Sequence, residues 1–248
     1  MPQPRVLVLR APGTNCDLET AHAFELAGAR AERLHINRLL ENPRRFDDFQ
    51  ILCLPGGFSY GDDLGAGRIL GAKMRSHLAD ALQQFKAAGK LILGICNGFQ
   101  ILLKSGILLA DDPQTGLPTA TLAWNESGRY QDRWVSLRTS SSKAVFFAGI
   151  ESMYLPIAHA EGKFVPRDDA TLRQLDSAGQ LVLRYEQNPN GAIADVAGVC
   201  DPTGRVCGLM PHPERHVDRT HHPRWTRGEG GEVGDGLKVF QNAVAYWN

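Results

Sequence analysis

Apolar residues in the first half of the chain come in short, closely spaced runs. RVLVL at Arg5–Leu9, AERLHI at Ala31–Ile36, FQILCL at Phe49–Leu54 and KLILGI at Lys90–Ile95 have the length and branched side chains of buried strands. The spacing between them changes to that of helices. DLETAHAFELAGA follows Asn15 and begins with Asp17, either of which can cap a helix, and Gly28 can end it. A longer helical pattern covers Ala66–Ala88 and stops at Gly89, and Gly98–Leu103 opens another. Strands and helices in alternation predict βαβ units around a parallel sheet.

The pattern shifts after Asp111. Strand-like pieces now dominate: ATLAW, RWVSL, SMYLPIA, QLVLRYE, GAIADVAGV and RVCGLM. They predict an antiparallel extension and a return into the main sheet. A last helix is predicted over Gly236–Trp247, and the polar stretch 218–235, rich in Gly, His and Arg, reads as a mobile loop. No repeat or linker divides the chain, so residues 1–248 are expected to form one domain. The fold class expected is α/β: an open, mostly parallel sheet with helices on both faces and an antiparallel extension.

Composition narrows the function. With 27 basic and 27 acidic residues among 248, no charge excess points to nucleic acid or an anionic membrane surface. No apolar run approaches the ~18 residues a membrane span needs, and MPQPRVLVLR lacks a signal peptide's layout, so the cytoplasm is the expected compartment. The five cysteines form no CxxC pair, which argues against a disulfide framework or a Cys-rich zinc site. Cys53, Cys200 and Cys207 lie in apolar runs and read as core thiols, and Cys16 is expected to pack.

Cys96 is different. It stands in GICNG, between a strand and a helix, at the carboxyl end where open α/β sheets bind ligands. A thiol there is lifted out of the sheet and meets the free N–H groups of a helix start. The same logic builds the G-x-S-x-G nucleophile elbow, and it places the Asn97 N–H to stabilise an oxyanion. A cysteine nucleophile needs a base and a group to orient it. Two His-x-Glu pairs are available, His212 with Glu214 and His159 with Glu161. Pro213 stiffens the first pair, which also ends a strand-like run. A third element, LPGGFSYGDD, follows another strand, and its paired glycines can bring a second backbone N–H to the same rim. GAG at residues 65–67 is not a dinucleotide fingerprint, having no GxGxxG and no strand directly before it.

Taken together, PGG, GxCxGxQ and a late HPE resemble the class I glutamine amidotransferases. The wording PGTNCD, LPGGFSYGDDL, GICNGFQIL, PIAHAEGKF, NPNGAIADVAGVCD and GLMPHPER is similar, from about residue 6 to 216, to glutaminase subunits of phosphoribosylformylglycinamidine synthases. The resemblance implies a flavodoxin-like amidotransferase fold and a triad of Cys96, His212 and Glu214. It implies an oxyanion hole from Gly57 and Asn97, with Gln100 helping to bind substrate glutamine. His159 and Glu161 then fall outside the triad, near the site or a partner interface. It further implies no cofactor or metal in this chain, a large synthetase subunit holding ATP and Mg²⁺, and a small third subunit in some complexes. LGAGRILGAK and the long segment DRTHHPRWTRGEGGEVG depart from the family pattern without touching the triad. The alternatives are a glutaminase serving another synthetase, a stand-alone cysteine hydrolase of the same fold, or a metal-binding protein built on His212, His216, Asp218, His221 and His222. Pro213 and Pro223 disfavour the helix that the last would need.

Overall fold

The computed structural model describes residues 3–247. The first half builds β1 (Arg5–Arg10), α1 (Asp17–Leu26), β2 (Arg30–His35), α2 (Ile36–Glu41), β3 (Ile51–Leu54), α3 (Arg68–His77), α4 (Ala79–Ala87), β4 (Leu91–Ile95) and α5 (Asn97–Lys104). The second half builds β5 (Ala120–Trp124), β6 (Gln131–Thr139), β7 (Ser152–His159), β8 (Glu161–Pro166), α6 (Asp169–Ser177), β9 (Leu181–Tyr185), β10 (Val196–Cys200), β11 (Val206–Leu209) and α7 (Leu237–Ala245). One sheet of nine strands runs in the order β2-β1-β3-β4-β11-β10-β9-β6-β7, and β5 pairs with β8 apart from it.

The first five strands of that order are mutually parallel. Every residue of β3, β4 and β11 is buried, as parallel strands covered on both faces require. From β11 onward each neighbour is antiparallel. The extension and the return into the main sheet are therefore both present, and the return strand β11 lies directly beside β4. The sequence reading differs in details. It extended the second strand to Ile36, which instead opens α2, and it omitted β8 and α6. Helix α6 is capped by Asp168, whose carboxylate accepts from the Thr171 N–H at 2.7 Å. Helix α1 has no side-chain cap. Asp17 is instead held by Arg10 at 2.8 Å and Arg33 at 3.0 Å, and Asn15 Oδ1 accepts from the Cys16 thiol at 3.2 Å.

The segment 218–235 contains two short 3₁₀ turns, Arg219–His221 and Trp225–Arg227. Buried His222 stacks against Trp134 and Tyr154, and the Asp235 carboxylate accepts from the Tyr154 N–H at 2.7 Å. His216 and His222 therefore pack with aromatic rings rather than converge as ligands.

The join between β4 and α5 is the tightest place in the fold. A side chain at Gly98 would put its Cβ 1.9 Å from the Leu54 carbonyl oxygen, and one at Gly94 would meet Gly98 at 2.7 Å. Neither contact can be relieved by rotating a side chain. Gly98→Ala is expected to lower stability by at least about 3 kcal/mol, beyond ordinary overpacking, read as the shift of a urea unfolding midpoint. An unchanged midpoint would mean that α5 is free to move away from β3.

Candidate active site

Three adjacent strands deliver the three predicted pieces. β3 ends at Leu54 and runs into Pro55-Gly56-Gly57, β4 ends at Ile95 and runs into Cys96, and β11 ends at Leu209 three residues before His212. Because β3, β4 and β11 are parallel neighbours, all three turns open on the same rim.

Cys96 has φ +50° and ψ −104°, a conformation that costs an L-residue roughly 1–3 kcal/mol. The turn is held from both sides: the Cys96 N–H donates to the Leu209 carbonyl at 2.8 Å, and Gly98 rests on Leu54. The Cys96 thiol faces the Ala158 carbonyl at 3.7 Å. His212 and Glu214 are buried, with His212 Nδ1 2.6 Å from Glu214 Oε1. Burial opposes charge on the imidazole, but Glu214 and Cys96 outweigh it and raise the His212 pKa. An Nδ1–H donated to Glu214 leaves Nε2 as the free nitrogen, and it is buried without a hydrogen-bond partner. A base held that way takes and returns its second proton at Nε2, on the side away from the carboxylate, and the raised pKa favours the doubly protonated ring.

Asn97 is the first residue of α5, so its N–H has no carbonyl one turn back. Gly57 has φ +141°, and a side chain there would collide with the backbone of Gly13 and Asn15. Both glycine conformation and close approach are needed at this one position. Gly57 and Cys96 line the same cavity of about 280 Å³, with Asp62, Gln100, Trp124, His159 and Glu161 among the other walls. That is room for an amino acid. The cavity shares Asp62, Trp124 and Glu161 with a wider groove of about 850 Å³ that carries Arg68, Arg75 and Lys104.

The side chains of Asn97 and Gln100 tie the walls together. Asn97 Oδ1 accepts from the Ser59 N–H at 3.1 Å, and its amide donates to Asp62 at 3.0 Å and to Gln100 Oε1 at 2.9 Å. Gln100 donates in turn to the Glu161 carbonyl. Glu161 receives the Ala66 N–H at 3.3 Å and lies 3.9 Å from Lys104. The loop between β3 and α3 contains Tyr60, Asp62 and Leu64 at positive φ, and these bonds hold it. Burial raises the Asp62 pKa.

His159 and Glu161 line the cavity but do not approach the thiol as a base and its orienter. His159 Nδ1 is 3.1 Å from Asn125 Oδ1, and the Asn125 amide nitrogen is already donating to the His159 and Arg129 carbonyls. Asn125 Oδ1 is thus the acceptor and His159 carries its proton on Nδ1. Burial drives the His159 pKa down to about 3.

The sequence reading missed Cys16 and Arg215. Cys16 is buried, as a packing residue would be, but it lies beside His212, and the Arg215 guanidinium donates to its sulfur at 3.0 Å. A signal was available, since Cys16 follows β1, which neighbours β3 on the same rim.

The family described as CobB/CobQ-like glutamine amidotransferase domain matches residues 3–247. A phosphoribosylformylglycinamidine synthase subunit PurQ from Dehalococcoides mccartyi is 47% identical, covering 99% of this chain and 98% of its own. The protein of that name from Methanococcus maripaludis is 40% identical with the same coverage. A chain in the structure of PurLQS from Thermotoga maritima superposes with a TM-score of 0.78 at 37% identity over 100% of both chains. A Thermotoga maritima glutamine amidotransferase at 17% identity and TM-score 0.59 shares the fold.

Because the His159 pKa is depressed, the unfolded chain binds a proton that the folded chain refuses between pH 6.5 and about 3. Stability contributed here is present above pH 6.5 and is lost as pH falls through that window. In NMR the His159 ring is expected to show no protonation step until pH nears about 3. A midpoint near the ordinary value of about 6.5 would contradict its buried, neutral state.

Proposed function

The chain belongs to the CobB/CobQ-like glutamine amidotransferase family, and from that membership we propose that it is the glutaminase subunit of a phosphoribosylformylglycinamidine synthase. It hydrolyses glutamine to glutamate and ammonia for de novo purine synthesis. A partner synthetase uses the ammonia to convert formylglycinamide ribonucleotide to formylglycinamidine ribonucleotide, with ATP and Mg²⁺ bound in that partner and none required in this chain. A small third subunit fits the PurLQS composition of the Thermotoga maritima relative. No helix among the described residues is long and apolar enough to cross a membrane, and the cytoplasm is the compartment proposed.

The observation that carries this reading is the meeting of the Cys96, Gly57 and His212 turns on one rim, beside a cavity sized for an amino acid. In the proposed mechanism, His212 Nε2 takes the Cys96 thiol proton and the thiolate attacks the side-chain carbonyl carbon of glutamine. The carbonyl oxygen becomes an oxyanion facing the Gly57 and Asn97 N–H groups. Each such donor contributes about 3–4 kcal/mol to the transition state. His212 then protonates the departing nitrogen, the C–N bond breaks, and ammonia leaves a γ-glutamyl thioester on Cys96. Water, deprotonated by His212, attacks the thioester, and the thiol leaves with the proton. Glu214 keeps the imidazole in the Nδ1–H form throughout and balances its transient charge. Gln100 and Asn97 set the wall against which the glutamine lies.

Reconstituted with its synthetase, Cys96→Ser is expected to abolish glutamine-dependent turnover and to leave ammonia-dependent turnover at the unsubstituted rate. Glu214→Gln is expected to lower glutamine hydrolysis on the order of 10⁴-fold, as loss of the orienting carboxylate does elsewhere. Glutamine-dependent turnover surviving in Cys96→Ser would remove Cys96 as nucleophile. Hydrolysis at full rate without the synthetase, and indifferent to it, would favour a stand-alone hydrolase.

A further inference from the structure

Asn97 gives its backbone N–H to the proposed oxyanion hole, while its buried carboxamide reaches across to the loop that carries the other donor, Gly57. Its Oδ1 accepts from the Ser59 N–H at 3.1 Å, and its Nδ2 donates to Asp62 Oδ1 at 3.0 Å and to Gln100 Oε1 at 2.9 Å. Both amide hydrogens are therefore used, and one donor partner with two acceptor partners fixes which end is oxygen. The loop needs such a restraint. Tyr60, Asp62 and Leu64 have φ of 57°, 54° and 63°, a conformation that costs a non-glycine residue about 1–2 kcal/mol. Leu64 is 79% exposed, so its side chain anchors little. On the outer side the Phe58 and Tyr60 N–H groups donate to the Gly13 and Pro12 carbonyls at 2.9 and 2.7 Å. At the far end Glu161 accepts the Ala66 N–H at 3.3 Å, and Lys104 donates to the Ala66 carbonyl. Among these restraints, Asn97 is the one that comes from the head of α5, beside the nucleophile.

We propose that the Asn97 side chain is a positioning residue: by holding Ser59 and Asp62 it sets where the Gly57 N–H lies, and so the spacing between the two oxyanion donors. On the glutaminase reading, which this role deepens, one residue supplies the first donor through its backbone and locates the second through its carboxamide. The anchor is rigid, because Gly98 is seated on Leu54 and the Cys96 N–H is held by Leu209. A displacement of about 1 Å in a positioned group costs on the order of 10²-fold in rate. Asparagine is the side chain that fits. Leucine has its size but offers the Ser59 N–H no acceptor. Aspartate keeps that acceptor but turns both donors into acceptors, facing the Asp62 carboxylate and Gln100 Oε1.

The test combines kinetics of the chain with its synthetase and hydrogen exchange of the chain alone. In Asn97→Leu, kcat for glutamine should fall on the order of 10²-fold while KM changes by less than about threefold, because Gln100 keeps its bond to the Glu161 carbonyl. Alkylation of Cys96 by iodoacetamide forms no oxyanion and should keep its unsubstituted rate. Asn97→Asp sets a second carboxylate against Asp62, with Glu161 adding to the repulsion and Lys104 relieving it. Its deficit, taken against the unsubstituted chain at the same pH, should narrow from about pH 8 to about pH 6, as one carboxyl of the pair takes a proton and again donates. A side chain that merely supported the fold would show no such recovery. In the unsubstituted chain the Ser59 amide should exchange at least about tenfold more slowly than that of exposed Leu64, a readout that needs no variant to fold. Equal exchange at Ser59 and Leu64, an unchanged kcat in Asn97→Leu, or kcat and alkylation falling together would overturn the proposal. The exchange result does not depend on turnover, so a chain that hydrolyses no glutamine counts against the glutaminase reading and is told apart from a failure of this restraint.

Discussion

Gly98 lies so close to β3 that its missing side chain is filled by the Leu54 carbonyl, and this contact fixes where α5 begins. With α5 pinned there and the Cys96 N–H held by Leu209 on the other side, the residue between has only a left-handed conformation open to it. The strain is local and the restraint comes from two neighbouring strands. A cysteine in that position cannot fold its sulfur back into the sheet. It projects from the rim, at the head of a helix, with an N–H beside it.

The same three strands supply the rest of the site. β3 brings the Gly57 turn and β11 brings His212, and their parallel pairing with β4 puts both within reach of Cys96. The antiparallel half of the sheet then curls its outer strand back over the rim. The His212 N–H donates to the Pro156 carbonyl of β7 at 2.9 Å, and Ala158 on the same strand faces the thiol. The geometry of the candidate site is thus a property of the sheet. The polar loop of residues 55–67 is tied to these walls by hydrogen bonds to Asn97 and Glu161, and Asp62 within it accepts from the Asn97 amide.

Much of this was legible because strand ends carry strong local signals. The apolar runs before Gly94 and Pro55, and RVCGLM before His212, marked the rim residues, and proline at 213 marked a stiff His-x-Glu. Sequence alone could not order the strands, so it could not separate His212–Glu214 from His159–Glu161 by geometry. In the structure β11 lies beside β4, whereas His159 ends the outermost strand and gives its ring proton to Asn125. Cys16 was read as a packing residue, and it is buried. Its burial was readable, but its place next to His212 follows from the packing of β1 against β3. The missed helix α6 shows a lapse of another kind, since Asp168 is an ordinary cap and DATLRQLD an ordinary helical pattern.

The central claim is that Cys96 attacks the side-chain amide of glutamine. The most direct measurement is to treat the chain, alone and with its synthetase, with a diazo-ketone analogue of glutamine and locate the adduct by peptide mass spectrometry. The account expects a single adduct on Cys96 that excess glutamine prevents. An adduct on Cys16 instead, or none on any cysteine with the synthetase present, would contradict it.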